Sequence, residues 1–208
     1  MCSISGIING DFKSLVKMIN VQAHRAPDES GYYKNKNILI GMGRLKIIDL
    51  KSKKLCPYED EEIVLSYNGE IYNYLELRKE LKIYNWKFKT SSDIEVLANC
   101  WKQWGYKMFQ KLNGMFAICI YDKKKNIILL ARDIAGEKPL YYSKVGNKFY
   151  FSSEAKAIKK VCENPAIRNK IIDAFQHCIS DTLWKNVYQL LPGHYLTLSL
   201  NNLKTHIV

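Results

Sequence analysis

The sequence predicts a single α+β domain, rich in strands and layered with helices. Three observations carry this. Residues 115–122 and 127–133, joined by a turn at 123–126, read as a hairpin whose strands are apolar at most positions. Strands apolar on both faces need cover on both faces. The helical stretches each show one apolar stripe, as elements laid on a sheet should. No linker, repeat or low-complexity run divides the 208 residues, a length that supports one full hydrophobic core.

Taken in order, residues 2–8 form a β-branched run in which Gly6 marks a close backbone approach or a bulge. Leu15, Met18, Ile19 and Ala23 recur at helical spacing, so 14–23 is a helix that stops before Pro27. Residues 37–42 and 63–67 read as strands, and 73–81 as a helix carrying Leu75, Leu77 and Leu81. Ser92 followed by Glu95 is a capping-box signature. It opens a long helix with Ile94, Leu97, Ala98, Trp101 and Trp104 on one face. Beyond the hairpin, 139–143 and 148–152 are strands, 154–160 and 170–180 helices, and 194–200 a last strand.

Composition narrows the function classes. With 47% apolar and 25% charged residues the chain is an ordinary globular one. The apolar runs are too short to span a bilayer, and the N-terminus lacks the basic and apolar regions of a secretory signal. The expected location is cytoplasmic, with no membrane partner. A net charge of +12 invites a nucleic-acid reading. Its excess is nearly all lysine in short surface groups, without the clustered arginines that read bases, so no nucleic-acid partner is expected. The six cysteines form no C-x-x-C pair and do not cluster with histidine, so no metal site is expected.

One cysteine stands apart. Cys2 directly follows Met1, and methionine is normally trimmed before a small residue. A mature chain would then carry a thiol and a free α-amine on one residue. An α-amine has a pKa of about 7.7–8.0, so it can take the thiol's proton near neutrality.

Four segments follow this cysteine in order: His24-Arg25-Ala26-Pro27-Asp28, Gly43-Arg44-Leu45-Lys46-Ile47-Ile48-Asp49, Asn68-Gly69-Glu70-Ile71-Tyr72-Asn73 and Ser92-Asp93-Ile94-Glu95. Together they resemble the glutaminase domain of class II glutamine amidotransferases, which are N-terminal-nucleophile hydrolases. Later blocks narrow the resemblance to the asparagine-synthetase branch: Leu112 to Ala117, Ala131 to Tyr142, Ser153 to Ala157, and Thr182 to Trp184 through Leu191 to Tyr195. It covers essentially the whole chain, 1–208. It implies a four-layer αββα sandwich that hydrolyses L-glutamine to glutamate and ammonia through a γ-glutamyl thioester on Cys2. The alternative is a non-catalytic or regulatory module that keeps the fold.

Residue chemistry agrees with these roles. Glutamine is a zwitterion with a carboxamide tail. Arg44 offers a planar fork for its carboxylate, and Asp93 the charge for its ammonium. Asn68 offers a side-chain NH₂ and Gly69 a backbone N–H to the oxyanion, where one such donor is worth about 2.7–4 kcal/mol of barrier. The bland reading of Asn68-Gly69 is a turn. The resemblance adds Glu70 to the glutamine pocket, with Leu45, Lys46, Ile47 and Ile48 lining it partly through backbone groups. Arg132, Asp133 and Glu154 read as a structural ion network.

Two positions depart from the family pattern. Ala26 stands where a glycine is usual, which is costly if that backbone needs φ > 0. Met42 and Gly43 occupy the stretch that usually holds a histidine. No ATP-binding loop is found, so no cofactor is expected in this domain. ATP and magnesium would belong to an absent synthetase domain, either a separate polypeptide or a part truncated away. Trp184, Tyr188, Leu191 and Tyr195 lie where the family passes into that domain; some of them are expected to form an exposed patch, the alternative being that all four are buried.

Overall fold

Side-chain alternation along the strands sorts this chain into layers. The computed structural model describes residues 2–49, 55–162, 167 and 180–208. In chain order these give β1 (Ser3–Ile8), α1 (Phe12–Val21), β2 (Glu29–Asn35), β3 (Ile38–Arg44), β4 (Tyr58–Glu59) and β5 (Ile63–Ile71). Then come α2 (Tyr74–Ile83), α3 (Asp93–Trp104), β6 (Gly114–Asp122), β7 (Ile127–Arg132), β8 (Tyr141–Val145) and β9 (Lys148–Ser152). The remainder is α4 (Ala155–Val161), β10 (Val187–Gln189), β11 (Tyr195–Ser199) and β12 (Thr205–Ile207). Two antiparallel sheets result, in the orders β10-β8-β9-β1-β3-β2 and β12-β11-β7-β6-β5-β4.

Residues of one parity meet between the sheets. Ile4, Ile8, Ile40, Phe149 and Phe151 from the first sheet pack on Val64, Ala117, Cys119, Ile128, Leu130 and Leu196 of the second. Residues of the other parity face helices. Ile7, Leu39 and Tyr150 pack with Leu15 and Met18 of α1 and Ile158 of α4. Leu65, Ile118, Ile120 and Leu129 pack with Leu77 and Leu81 of α2 and Leu97 and Trp101 of α3. Each such side chain contributes about 1.5–3 kcal/mol on burial. The layers are α-β-β-α, the sandwich implied by the resemblance. Gly6 is a close approach, not a bulge: a Cβ there would lie 2.0 Å from Phe151 Cζ.

Several elements differ from the sequence pattern. β2 reads Glu-Ser-Gly-Tyr-Tyr-Lys-Asn and is mostly exposed; as an edge strand it needs no apolar alternation. β4, β10 and β12 are short and likewise show no period. β5 runs on to Ile71, so Asn68 and Gly69 lie in a strand and not in a turn. Ser92 Oγ does cap α3, accepting from Ile94 N at 3.3 Å. The capping box does not close, because the Glu95 carboxylate accepts instead from Lys89 N at 2.9 Å and Thr90 N at 2.8 Å. The helix expected at 170–180 falls outside the described residues, apart from Ser180. Among the described residues no helix is long and apolar enough to cross a membrane.

Trp184, Tyr188, Leu191 and Tyr195 are all half-buried, neither an exposed patch nor full core. Trp184 packs against the α1–α4 cluster, Tyr188 meets Tyr142 at 5.6 Å between ring centroids, and Tyr195 stacks on Phe109 at 5.6 Å.

Candidate active site

Two neighbouring strands of the first sheet, β1 and β3, place Cys2. β1 pairs with β3 so that Ser3 faces Gly43, which sets Cys2 beside the loop that follows Arg44. The Cys2 Sγ lies 3.4 Å from Leu45 N and 3.7 Å from Leu45 O. Arg25 Nε donates to the Cys2 carbonyl at 3.2 Å, and Arg25 Nη1 to Glu154 Oε1 at 3.1 Å, which fixes the main chain of the thiol. Burial pushes the Cys2 thiol up, partly offset by the Leu45 N–H. Among the described residues no imidazole or carboxylate hydrogen-bonds Sγ. The thiol therefore has no side-chain base among the described residues.

Cys2 opens onto a cleft shared with Leu45, Ile47, Ile48, Asn68, Gly69, Glu70 and Asp93. Asn68 is 1% exposed, and its Nδ2 has no hydrogen-bond partner. Gly69 must be glycine for steric reasons, since a Cβ would lie 2.0 Å from Met115 O and 2.7 Å from Phe116 Cα. Asp93 is held by Tyr67 Oη at 3.0 Å and Ile71 N at 3.3 Å, and burial pushes its carboxyl up.

Two expected pocket residues stand back from the cleft. Arg44 closes β3, and its Nη2 donates to Ile48 O at 2.8 Å and Asp49 O at 3.0 Å, folding the loop over the cleft. Its Nη1 is buried without a hydrogen bond, 3.8 Å from Glu29 Oε2. Lys46 turns away, its N–H donating to Asp28 Oδ2 at 2.8 Å and its ammonium pairing with Glu29 at 3.3 Å.

The other described cysteines are covered by the fold. Cys56, Cys100, Cys119 and Cys162 are buried. Burial pushes Cys56 and Cys100 up to about 12 and Cys119 well above the ordinary thiol range. Cys178 lies outside the described residues. Among the described residues no group of three or more His, Cys, Asp or Glu side chains is placed to hold a metal ion.

The glutamine amidotransferase domain family matches residues 1–207. The chain belongs to this family. It is 36% identical to asparagine synthetase [glutamine-hydrolyzing] 1 of Bacillus subtilis over 95% of the chain and 33% of that protein. It is 33% identical to amidase chry2 of Gibberella zeae, over 93% of the chain and 30% of that protein. The chain thus spans about a third of the length of these curated relatives. Among solved structures, the glutamine phosphoribosylpyrophosphate amidotransferase from B. subtilis superposes with a TM-score of 0.72 at 18% identity, covering 99% of this chain and 49% of that one. That likeness is one of fold.

Within this amidotransferase domain the Ala26 departure carries no backbone strain, because its φ is −141°. Its methyl fills the space beside Gly43, where a Cβ would lie 2.6 Å from Ala26 Cβ and 2.7 Å from Ser3 Oγ. Arg132, Asp133 and Glu154 are not one ion network. Arg132 and Asp133 grip backbone groups of the 136–138 turn, while Glu154 pairs with His24, Arg25 and Lys156. Sequence reasoning missed two cleft residues of the domain, Met115 and Lys138. Both sit in blocks that carried the resemblance, but neither had a chemical signal of its own.

Proposed function

We propose that this domain hydrolyses L-glutamine to L-glutamate and ammonia through a γ-glutamyl thioester on Cys2. The observation that carries the reading is a thiol, lacking any side-chain base, in one cleft with a buried and unpartnered amide, Asn68 Nδ2. An unpaired buried donor costs about 1–3 kcal/mol. An oxyanion formed at the thiol would remove that cost.

Removal of Met1 frees the α-amine of Cys2, which takes the thiol proton. Sγ attacks the side-chain carbonyl carbon, and the oxyanion accepts from Asn68 Nδ2 and the Gly69 N–H. The protonated amine returns its proton to the departing nitrogen, which leaves as ammonia. Water then cleaves the thioester and releases glutamate. Asp93 receives the substrate ammonium, and Arg44 Nη1, the donor left free by the loop carbonyls, receives the α-carboxylate. Leu45, Ile47, Ile48 and Glu70 shape the cleft around the chain of the substrate.

The relatives named asparagine synthetases support ammonia passing to an amide transfer. That step would take place on a synthetase-type domain, covalently joined or separate, where ATP and magnesium would be used. Kinetics separate the roles. Asn68→Ala should lower kcat by about 10²–10³-fold, whereas Arg44→Ala and Asp93→Ala should mainly raise KM for glutamine. Purely KM effects of equal size in all three would refute the oxyanion assignment.

A further inference from the structure

The glutamine reading uses Arg44 and Asp93 for the two charged ends of the substrate, and it leaves one cation of the cleft without a task. Lys138 lines the cleft with Cys2, Asn68 and Gly69, and is only 8% exposed. Its main chain is fixed on both sides. The Lys138 N–H donates to Asp133 Oδ2 at 3.0 Å, and its carbonyl accepts from Arg132 Nε at 2.8 Å. Among the described residues no carboxylate lies within ion-pair distance of its ammonium. The side chain is thus largely covered while its ammonium keeps access to the cleft, where an anionic group of a ligand can meet it. Glu70 and Asp93 line the same cleft, yet neither pairs with it.

The placement of Lys138 points to one end of the ligand. Phe116 stands opposite Gly69 in the β5–β6 register. The Phe116 N–H donates at 3.1 Å to the same Asp133 oxygen that takes the Lys138 N–H. Lys138 is thereby rooted beside the Asn68–Gly69 strand, on the side of the reacting carbonyl, and not behind the loop that carries Arg44. The glutamine zwitterion is met by Asp93 and Arg44, and glutamate differs from glutamine by a carboxylate at the reacting end.

We propose that Lys138 is the receptor for the γ-carboxylate of the glutamate product, an inference that rests on the glutamine reading above. That carboxylate forms in the second half of the reaction. Water adds to the thioester and the C–S bond breaks. One hydrogen of the water returns to Sγ, the other leaves as a proton, and the new carboxylate faces the ammonium. The cleft therefore holds its product more tightly than the uncharged side chain of its substrate would require, and glutamate is a competitive inhibitor.

The test uses the full chain with Lys138→Met, Lys138→Gln as a second neutral variant, and Lys138→Arg as the charge-retaining control. One readout is the ratio of the inhibition constant for L-glutamate to KM for L-glutamine in ammonia release. The other needs no turnover: the rate at which Cys2 is alkylated by anionic iodoacetate relative to neutral iodoacetamide. In the neutral variants the first ratio should rise and the second fall, each by about tenfold, in the range of a hydrogen bond to a charged group. Arginine should restore both. Proportional changes in both constants would assign Lys138 to the shared α-carboxylate end and overturn the proposal, as would an unchanged alkylation ratio. Absence of ammonia release from the unsubstituted chain, alongside a lysine-dependent alkylation ratio, would sink the glutamine reading while supporting Lys138 as a carboxylate receptor.

Discussion

Arg44 and Arg132 each close a strand, β3 and β7, and each is buried, yet the chain uses them in opposite ways. Every nitrogen of the Arg132 guanidinium donates to backbone: Nε to Lys138 O at 2.8 Å, Nη1 to Leu190 O at 2.8 Å and Nη2 to Gly136 O at 2.5 Å. Arg44 spends only Nη2 on the carbonyls of Ile48 and Asp49 and leaves Nη1 buried with no hydrogen bond. The first arrangement holds a turn in place. The second holds a loop and keeps one donor in reserve. Asn68 repeats the second pattern, with a buried and unpartnered Nδ2 in the cleft. At these two arginines, spent donors go with a fixed turn, and an unspent donor goes with the loop beside the cleft.

The largest effect that this contrast predicts is on stability. Arg132→Met strips a donor from three carbonyls at once, at a cost of roughly 1–3 kcal/mol each. The urea midpoint should fall sharply. Arg44→Met should cost clearly less stability while weakening glutamine binding, because the loop carbonyls it leaves are nearer to solvent. An Arg44 variant as unstable as the Arg132 variant, with unchanged KM, would erase the distinction.

A smaller effect is expected beside the nucleophile. Gly43→Ala forces a methyl against Ala26 Cβ and Ser3 Oγ, and overpacking of this kind costs about 1–3 kcal/mol. Ala26→Gly in the same chain should recover part of the loss. A double-mutant cycle reads this as coupling between the two positions. Strict additivity would mean that Ala26 and Gly43 are independent departures rather than a matched pair.

How far the sequence could be read follows the same physics. The hairpin at 115–133 was legible because a strand covered on both faces has to be apolar on both. Cys2, Asn68, Gly69 and Asp93 were legible by residue type and by motif, and all four meet in the cleft. β2 was not, since a polar edge strand leaves no period in the sequence. Glu95 announces a capping box, but its carboxylate is drawn to the N–H groups of Lys89 and Thr90, a preference that only the path of the incoming chain decides. The Ala26 doubt assumed a φ that the backbone does not adopt. Lys138 was hidden because its meaning lies in an absence of partners, which becomes visible only once β6 and the 136–138 turn are brought against β5.

The central claim is that Cys2 alone carries covalent chemistry, and does so through its own α-amine. The most direct measurement is to treat the purified chain with a diazo-ketone analogue of glutamine and to map the label by mass spectrometry of the intact N-terminal peptide. One label per chain, on Cys2 of molecules that have lost Met1, is the predicted result. Label on Cys56, Cys100, Cys119, Cys162 or Cys178, or equal labelling of Cys2 in molecules that retain Met1, would contradict it.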